Sequence, residues 1–423
     1  MKEKIYQVFH KQDNTYPLAI VSCFTVLQVA ILIIFGYTPY PDSEGYLALA
    51  KECIEQDDYY PAKTLLYHYA FLWNIGAINL IILSLKLFQT VWPLLLFYSL
   101  IKGATAWFVY RIVRQLTNYP IALITLLLYC FYPANYGEGT SLLSEIPFTF
   151  LTFSALFLAL CKNYYVPAGL LLAVAAWIRP FSLFFTVSLC LYLLINNRQW
   201  KHCLQIISGY VLMIIVIGSL SQLRTGLFLY QAKTGWMALS QYSWDHSPNS
   251  HDNFSLNPND ICSDSTLNIV EKDKAWQSYF FRWLSDNKSE YVMQMPRKLI
   301  DTYISDNVNM CAFLPNKSQR SYLYEELSLR TLVQQAPHYS IVQWLTVFNL
   351  FYYYLLLLLS LSSLRHYRND THLLPCITIV ISTIILLLVG HGEARFHQTY
   401  MPFIIMLAAL ELGYILKKSL PVT

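Results

Sequence analysis

Residues 17–46 read PLAIVSCFTVLQVAILIIFGYTPYPDSEGY. Positions 17–36 carry no charge, and at 1.5 Å of rise per residue they cover the roughly 30 Å of hydrocarbon in a bilayer. The stretch then breaks into Tyr40-Pro41-Asp42-Ser43-Glu44-Gly45-Tyr46, which puts two carboxylates where a membrane helix emerges. Charge at that boundary is costly unless it is solvated or used, so Asp42 and Glu44 are the first functional candidates.

The same pattern recurs along the chain. Apolar runs at about 90–112, 119–135, 144–161, 164–178, 181–196, 203–221, 341–363, 372–390 and 400–416 join 17–36 to predict about ten transmembrane helices. A chain of 423 residues that is 56% hydrophobic and 13% charged is too apolar for a soluble protein of this size. The fold class is therefore an all-α polytopic membrane protein, with interfacial helices in the first outer loop and a larger outer segment. Met1 to Tyr16 is polar and basic and no small-residue cleavage site follows, so the first span is expected to remain as an anchor.

The basic residues set the orientation. Lys2, Lys4 and Lys11, then Arg111 and Arg114, Lys162, Arg198 and Lys201, Arg365 and Arg368, and Lys417 and Lys418 all fall on one side if the N-terminus is cytoplasmic. Both termini are then cytoplasmic and the polar chemistry gathers on the outer face. Three regions follow: residues 1–221 as an N-terminal transmembrane catalytic module with its first outer loop at 37–89, residues 222–340 as an extracytoplasmic segment, and residues 341–423 as C-terminal transmembrane helices. Tyr67 to Phe88 is apolar, but counting it as a span would spoil the charge bias; its aromatic approach suits a re-entrant or interfacial helix. Ile269 to Ile304 is amphipathic and is expected on the outer leaflet, with the core of a small surface domain as the alternative, after a loop at Trp244–Asp264. Nine cysteines are scattered without metal-like spacing; a Cys262–Cys311 disulfide is open.

Each candidate side chain carries a bland reading beside the functional one. Asp42 can act as a general base toward a hydroxyl, or can complement a helix dipole, with Asp42 or Ser43 as the cap. Glu138 and Glu145 lie in the outer turn 136–145, with Glu145 at a second helix start. Arg179-Pro180 joins two apolar runs; its guanidinium can hold a phosphate or anchor the turn in headgroups. Arg395, with His391 and His397 near it in sequence, offers a second cation at the same level. Lys102, near the middle of a span, needs a partner or a wet cavity, or else snorkels. His68 sits among the aromatics of the first outer loop. Glu411 is expected to pair with a nearby base.

Several segments carry a resemblance. They are Pro41-Asp42-Ser43-Glu44-Gly45-Tyr46-Leu47-Ala48-Leu49-Ala50, the segment ending Leu85-Lys86-Leu87-Phe88, Leu142-Leu143-Ser144-Glu145-Ile146-Pro147-Phe148, Ala168 to Pro180, and Glu393-Ala394-Arg395-Phe396 before Met401-Pro402-Phe403. In order and topology they resemble the glycosyltransferase C superfamily, in the branch similar to protein O-mannosyltransferases and to the transferase that adds aminoarabinose to lipid A. The resemblance implies a sugar transferase using a polyprenyl-phosphate donor. Asp42 matches the first-loop catalytic acid, Glu145 the second acidic position, and Arg179 and Arg395 donor-phosphate contacts. Family members often carry two adjacent acidic residues where this chain has Asp-Ser-Glu, so the share of Glu44 in catalysis stays open.

The expected catalytic set is Asp42, Glu44 and Glu145, and the expected substrate-binding set is Arg179, Arg395, His68, Lys102 and His397. A phosphate leaving group needs charge stabilisation more than protonation, and attack by an acceptor hydroxyl assisted by Asp42 inverts the sugar centre. No cofactor is required by this scheme; a divalent cation bridging Asp42 or Glu145 to phosphate is left open. The partners are a membrane lipid-linked sugar donor and a glycan, lipid or protein acceptor, with no nucleic acid, and the bacterial inner membrane is the expected location. The alternatives are an O-antigen-type polymerase or ligase, and a polytopic transporter or flippase, against which the absence of internal repeats counts.

Overall fold

The computed structural model describes residues 14–69, 71–245, 261, 264–313, 339–389 and 394–419. Among these residues the chain is all-α; no strand forms, and one bridge pairs Leu72 with Lys233. Thr15–Phe35 (α1) is followed by Pro41–Glu55 (α2) and Ile75–Phe88 (α3) in the first outer loop. Next come Trp92–Leu116 (α4), Tyr119–Cys130 (α5), the short Ala134–Glu138 (α6), Glu145–Lys162 (α7), Tyr165–Ile178 (α8), Ser182–Asn197 (α9) and Trp200–Thr225 (α10). Gly235–Asp245 (α11), Ile269–Asp286 (α12) and Lys288–Tyr303 (α13) belong to the outer segment, and Ile341–Ser363 (α14), Asn369–Val389 (α15) and Met401–Ser419 (α16) close the bundle.

Every expected span contains a helix, and seven stretches among the described residues are long and apolar enough to cross a membrane. Three of the expected spans are shorter than a bilayer is thick: α5, α8 and α9 have 12, 14 and 16 residues, or about 18 to 24 Å of rise; α8 and α9 match the expected runs, and α5 stops short of its own. Beyond α5 the chain turns inside the protein, the condition under which irregular backbone is tolerated at membrane depth. Thus nearly all of Tyr132 to Ser144 is buried, and the turn expected on the outer surface at 136–145 is interior. Pro180 ends α8 by holding Arg179 extended, at φ −156° and ψ 131°. α3 has the same 14 residues as α8, so length alone does not separate a spanning helix from an interfacial one.

The expected outer-leaflet helix at 269–304 is two helices broken at Asn287. Trp276 and Phe280 of α12 turn inward, where Trp236 of α11 packs against Phe280 at 6.1 Å between ring centroids. Buried Lys272 donates to the carbonyls of Tyr67 and Tyr69 at 2.9 and 3.0 Å, which ties α12 to the first outer loop. Cys262 lies outside the described residues; the Cys311 thiol donates to the Tyr40 hydroxyl at 3.0 Å.

Contacts sort the helix ends into two groups. Arg114 donates to the Asn14 side chain at 2.7 Å, the Cys161 thiol to the Arg111 carbonyl at 3.6 Å, and the rings of Tyr165 and His202 stack at 4.0 Å. One end of the bundle therefore gathers Arg111, Arg114, Lys162 and Lys201. At the other end Thr38 donates from its backbone to the Thr140 carbonyl at 2.8 Å, and Arg224 pairs with Asp58 at 2.9 Å.

α8 crosses α10 backbone to backbone. A Cβ added to Gly169 would stand 2.0 Å from the Ile206 carbonyl oxygen, and one added to Gly209 would stand 2.3 Å from that of Val166. Small residues let helix backbones approach where lipid supplies no hydrophobic driving force. Gly169→Ala must part the two helices, and the expected loss is about 1–3 kcal/mol, the usual cost of overpacking. Unfolding of the detergent-solubilised protein measures it; an unchanged midpoint would contradict the close crossing.

Candidate active site

The start of α2 decides what Asp42 can do. Pro41 takes the first helical position, where its missing N–H is not needed. The cap falls to Tyr40 rather than to Asp42 or Ser43: Tyr40 is extended, and its backbone N–H donates to the Ser43 hydroxyl at 2.7 Å. Ser43 thus serves the helix end and leaves Asp42 available. Asp42 turns to Arg395, with Oδ2 at 2.7 Å from Nη2. Glu44 points elsewhere; it is exposed and accepts from the Tyr37 hydroxyl at 2.7 Å.

A second carboxylate–guanidinium pair lies beside the first. Glu145, the first residue of α7, meets Arg179 at 2.5 Å. Arg179 also donates to the Ser144 hydroxyl at 3.2 Å. Asn74 precedes α3 without capping it; its amide donates instead to Ser144 at 3.1 Å and to the Tyr46 hydroxyl at 2.8 Å. The Arg179 guanidinium lies over the rings of Phe181 and Phe396, at 4.8 and 5.4 Å, so the residue after Arg395 packs against the other arginine. Tyr46 stands among all four charges. Burial first, then the Asp42 and Glu145 carboxylates, push its phenol upward against the pull of both arginines, so it stays protonated.

The two pairs differ in access. The side chains of Asp42 and Arg395 keep 26% and 14% of their surface exposed, whereas those of Glu145 and Arg179 keep 1% and 8%. The Asp42–Arg395 pair is therefore the more accessible of the two, and both arginines act on the Tyr46 hydroxyl. A guanidinium at an accessible point can hold a phosphate, and a carboxylate in contact with it can accept a proton. Among the described residues no group of three or more His, Cys, Asp or Glu side chains is placed to hold a metal ion.

The other expected site residues lie apart from the four charges. Lys102 does not snorkel: it is buried on α4 and ion-paired with Glu138 of α6. The pair lines a pocket with Tyr129, Tyr132, Asp306 and Gln398. His397 is fully buried, with Nδ1 at 2.7 Å from the Thr302 carbonyl and Nε2 at 3.5 Å from Asp306. His68 lies exposed in the turn after Lys63–Leu65, and His391 and Glu393 lie outside the described residues. Buried Glu411 accepts from the Ser362 hydroxyl at 2.9 Å, and among the described residues no base pairs with it. Sequence reading missed Tyr40, Asn74, Ser144, Asp306 and Gln398, which act through distant partners that no local spacing announces.

Residues 75–221 match the family model of the dolichyl-phosphate-mannose-protein mannosyltransferases. The match includes Glu145 and Arg179 but not Asp42 or Arg395. No curated protein matches the chain in sequence. Among solved structures, the chain is similar to the archaeal oligosaccharyltransferase AglB from Archaeoglobus fulgidus, in complex with an inhibitory peptide and a dolichol-phosphate. The TM-score is 0.51 at 12% identity, covering 97% of this chain and 52% of that one, so this chain spans about half the length of the archaeal protein. ArnT from Cupriavidus metallidurans in the apo state matches at a TM-score of 0.43 and 12% identity, over 94% of this chain and 78% of that one, too loose a likeness to argue from. The resemblance to the glycosyltransferase C superfamily is thus borne out by a family model over part of the chain and by a shared fold.

The Lys102–Glu138 pair makes a prediction separate from the site. Lys102→Met leaves the buried Glu138 carboxylate without its cation, and the expected loss is about 3–5 kcal/mol. Lys102→Met combined with Glu138→Leu removes both charges and recovers most of it. Unfolding midpoints of the two variants check this; a stable single variant would show that the pair is not buried as described.

Proposed function

We propose that this chain is an integral membrane glycosyltransferase that moves a sugar from a polyprenyl-phosphate donor to an acceptor hydroxyl. The observation that carries the reading is the meeting of Asp42–Arg395 and Glu145–Arg179 around Tyr46, at the bundle end opposite the basic helix ends. The family match over residues 75–221 supports it, as does a fold shared with an oligosaccharyltransferase whose complex holds a dolichol-phosphate. With the basic ends cytoplasmic, both termini are inside and the site faces outward, as in a bacterial inner membrane. The acceptor class, whether glycan, lipid or protein, is left to the assay.

The chemistry follows from the charges. The donor's lipid stays in the bilayer, and its phosphate enters between Arg395 and Arg179. Arg395 then exchanges Asp42 for the phosphate, which frees the carboxylate. Asp42 takes the proton of the acceptor hydroxyl as the acceptor oxygen bonds to the anomeric carbon. The bond from that carbon to the phosphate oxygen breaks, and the sugar centre inverts. The added negative charge on the departing polyprenyl phosphate falls on two guanidiniums already in place. Glu145, held on Arg179 and almost wholly buried, keeps that arginine aimed; Glu44 is directed away from the reaction. A divalent ion at Asp42 would be a further contact to the same phosphate, and chelator treatment in the same assay reports on it.

Transfer in proteoliposomes supplied with a panel of polyprenyl-phosphate sugars tests the reading. Asp42→Asn is expected to lower turnover by about 10²–10⁴-fold, the usual contribution of a general base, while donor binding persists. Arg395→Gln is expected to weaken donor binding on the order of tenfold or more, as a charge-assisted contact is lost. An Asp42→Asn variant as active as wild type would remove the proposed base. Consumption of no donor by the wild type across the whole panel would favour a polymerase or a transporter.

A further inference from the structure

The four charges account for the reaction but not for what keeps the open pair in register. Asp42 and Arg395 come from opposite ends of the chain, and both are partly exposed. Long charged side chains at a wet site drift unless their backbones are fixed. The fixing element lies in the outer segment. Residues 305–313 are buried without exception and run into the bundle, ending in the 3₁₀ turn Val308–Phe313.

We infer that segment 305–313 is a strut that positions both members of the Asp42–Arg395 pair, acting through Tyr40 on one side and Gln398 on the other. The inference rests on the proposed role of Asp42. Toward α2, Tyr40 is the cap residue two positions before Asp42. Its hydroxyl donates to the Val308 carbonyl at 2.9 Å, lies 3.4 Å from Asn309 Oδ1 and accepts from the Cys311 thiol at 3.0 Å. Toward Arg395, the 3₁₀ turn Ala394–Tyr400 is held by Asp306: Gln398 donates to its Oδ1 at 2.7 Å, and His397 Nε2 stands 3.5 Å from the same oxygen. The Tyr132 hydroxyl donates to the other oxygen, Oδ2.

The strut is itself braced. Asn349 of α14 donates to the Asp306 carbonyl at 3.1 Å and to the Asn307 side chain at 3.2 Å, while its own oxygen accepts from the Ala134 backbone at 3.0 Å. On α6 there is no room to yield, because a Cβ on Gly137 would stand 1.9 Å from the Asn309 carbonyl oxygen. Residues 306 and 308 thus tie two distant parts of the chain to one rigid piece. Neither Tyr40 nor Gln398 touches the reacting atoms in the proposed mechanism, so both are positioning residues. Misplacing a catalytic group by about 1 Å can cost on the order of 10²-fold in rate.

The test uses Tyr40→Phe and Gln398→Leu in the full chain, reconstituted with the donor that the panel assay identifies. Tyr40→Phe removes the hydroxyl's bonds to Val308 and Cys311, and Gln398→Leu removes the bond to Asp306; each keeps the side chain's approximate shape. Turnover is counted per donor-binding site, so loss of folded protein does not register as slow chemistry. Tyr40→Phe, on the Asp42 side, is expected to lower kcat by about tenfold with donor KM within about twofold of wild type, and Gln398→Leu, on the Arg395 side, to lower kcat/KM by about tenfold. Tyr40→Phe is not expected to lower the residual rate of Asp42→Asn any further. A kcat/KM within twofold of wild type in either variant, at full donor stoichiometry, would overturn the strut, as would a full further loss on adding Tyr40→Phe to Asp42→Asn. If Asp42→Asn is itself active, the proposed base fails first, an outcome distinct from an inactive Asp42→Asn beside a fully active Tyr40→Phe. Should one variant fail to fold, the other decides.

Discussion

Charge in a membrane protein is tolerated where it is neutralised, and three carboxylate–cation pairs among the described residues follow that rule. Arg179 meets Glu145, Arg395 meets Asp42, and Lys102 meets Glu138. Removing one partner of a buried pair leaves the other uncompensated, so the pairs hold helix ends together as well as supply chemistry. Of the three, only Asp42–Arg395 retains appreciable exposure, and in the proposed mechanism it is the pair that the donor opens. An anion bound by both arginines would there supply what Asp42 gives up.

The short helices serve this arrangement. α5, α8 and α9 stop before the full thickness of a bilayer, and the chain between and beyond them turns inside the protein. That places Glu138, Ser144, Glu145 and Arg179 on non-helical or helix-end backbone, where side chains converge rather than splay around a helix axis. Pro180 and Pro41 set two of these turns by local backbone chemistry. Residues 305–313 of the segment 222–340 pack between α6 and α14 and touch the groups on either side of the open pair.

Much of this was legible in the sequence, and the limit of legibility has a physical basis. Hydropathy reports length and burial, so all ten runs became helices, although the run at 119–135 concealed a helix end at Cys130 and a second short helix. The four charges that pair around Tyr46 stood out as candidates because each sits at the end of an apolar run. Their pairing did not, since nothing local joins Asp42 to Arg395. Lys102 looked alone for the same reason, its partner Glu138 lying in what read as a surface turn. Trp276 and Phe280 looked like a lipid-facing stripe because an amphipathic period cannot say whether lipid or another helix covers it. Asp306 and Tyr40 gave no signal, since their partners Gln398 and Val308 lie 92 and 268 positions away.

The central claim is that Arg179 and Arg395 hold one donor phosphate beside Asp42. A structure of the protein in lipid nanodiscs loaded with polyprenyl phosphate tests it most directly. The account predicts phosphate density within hydrogen-bonding distance of both guanidiniums, with Arg395 released from Asp42. Phosphate bound elsewhere, with the Asp42–Arg395 pair intact, would contradict it.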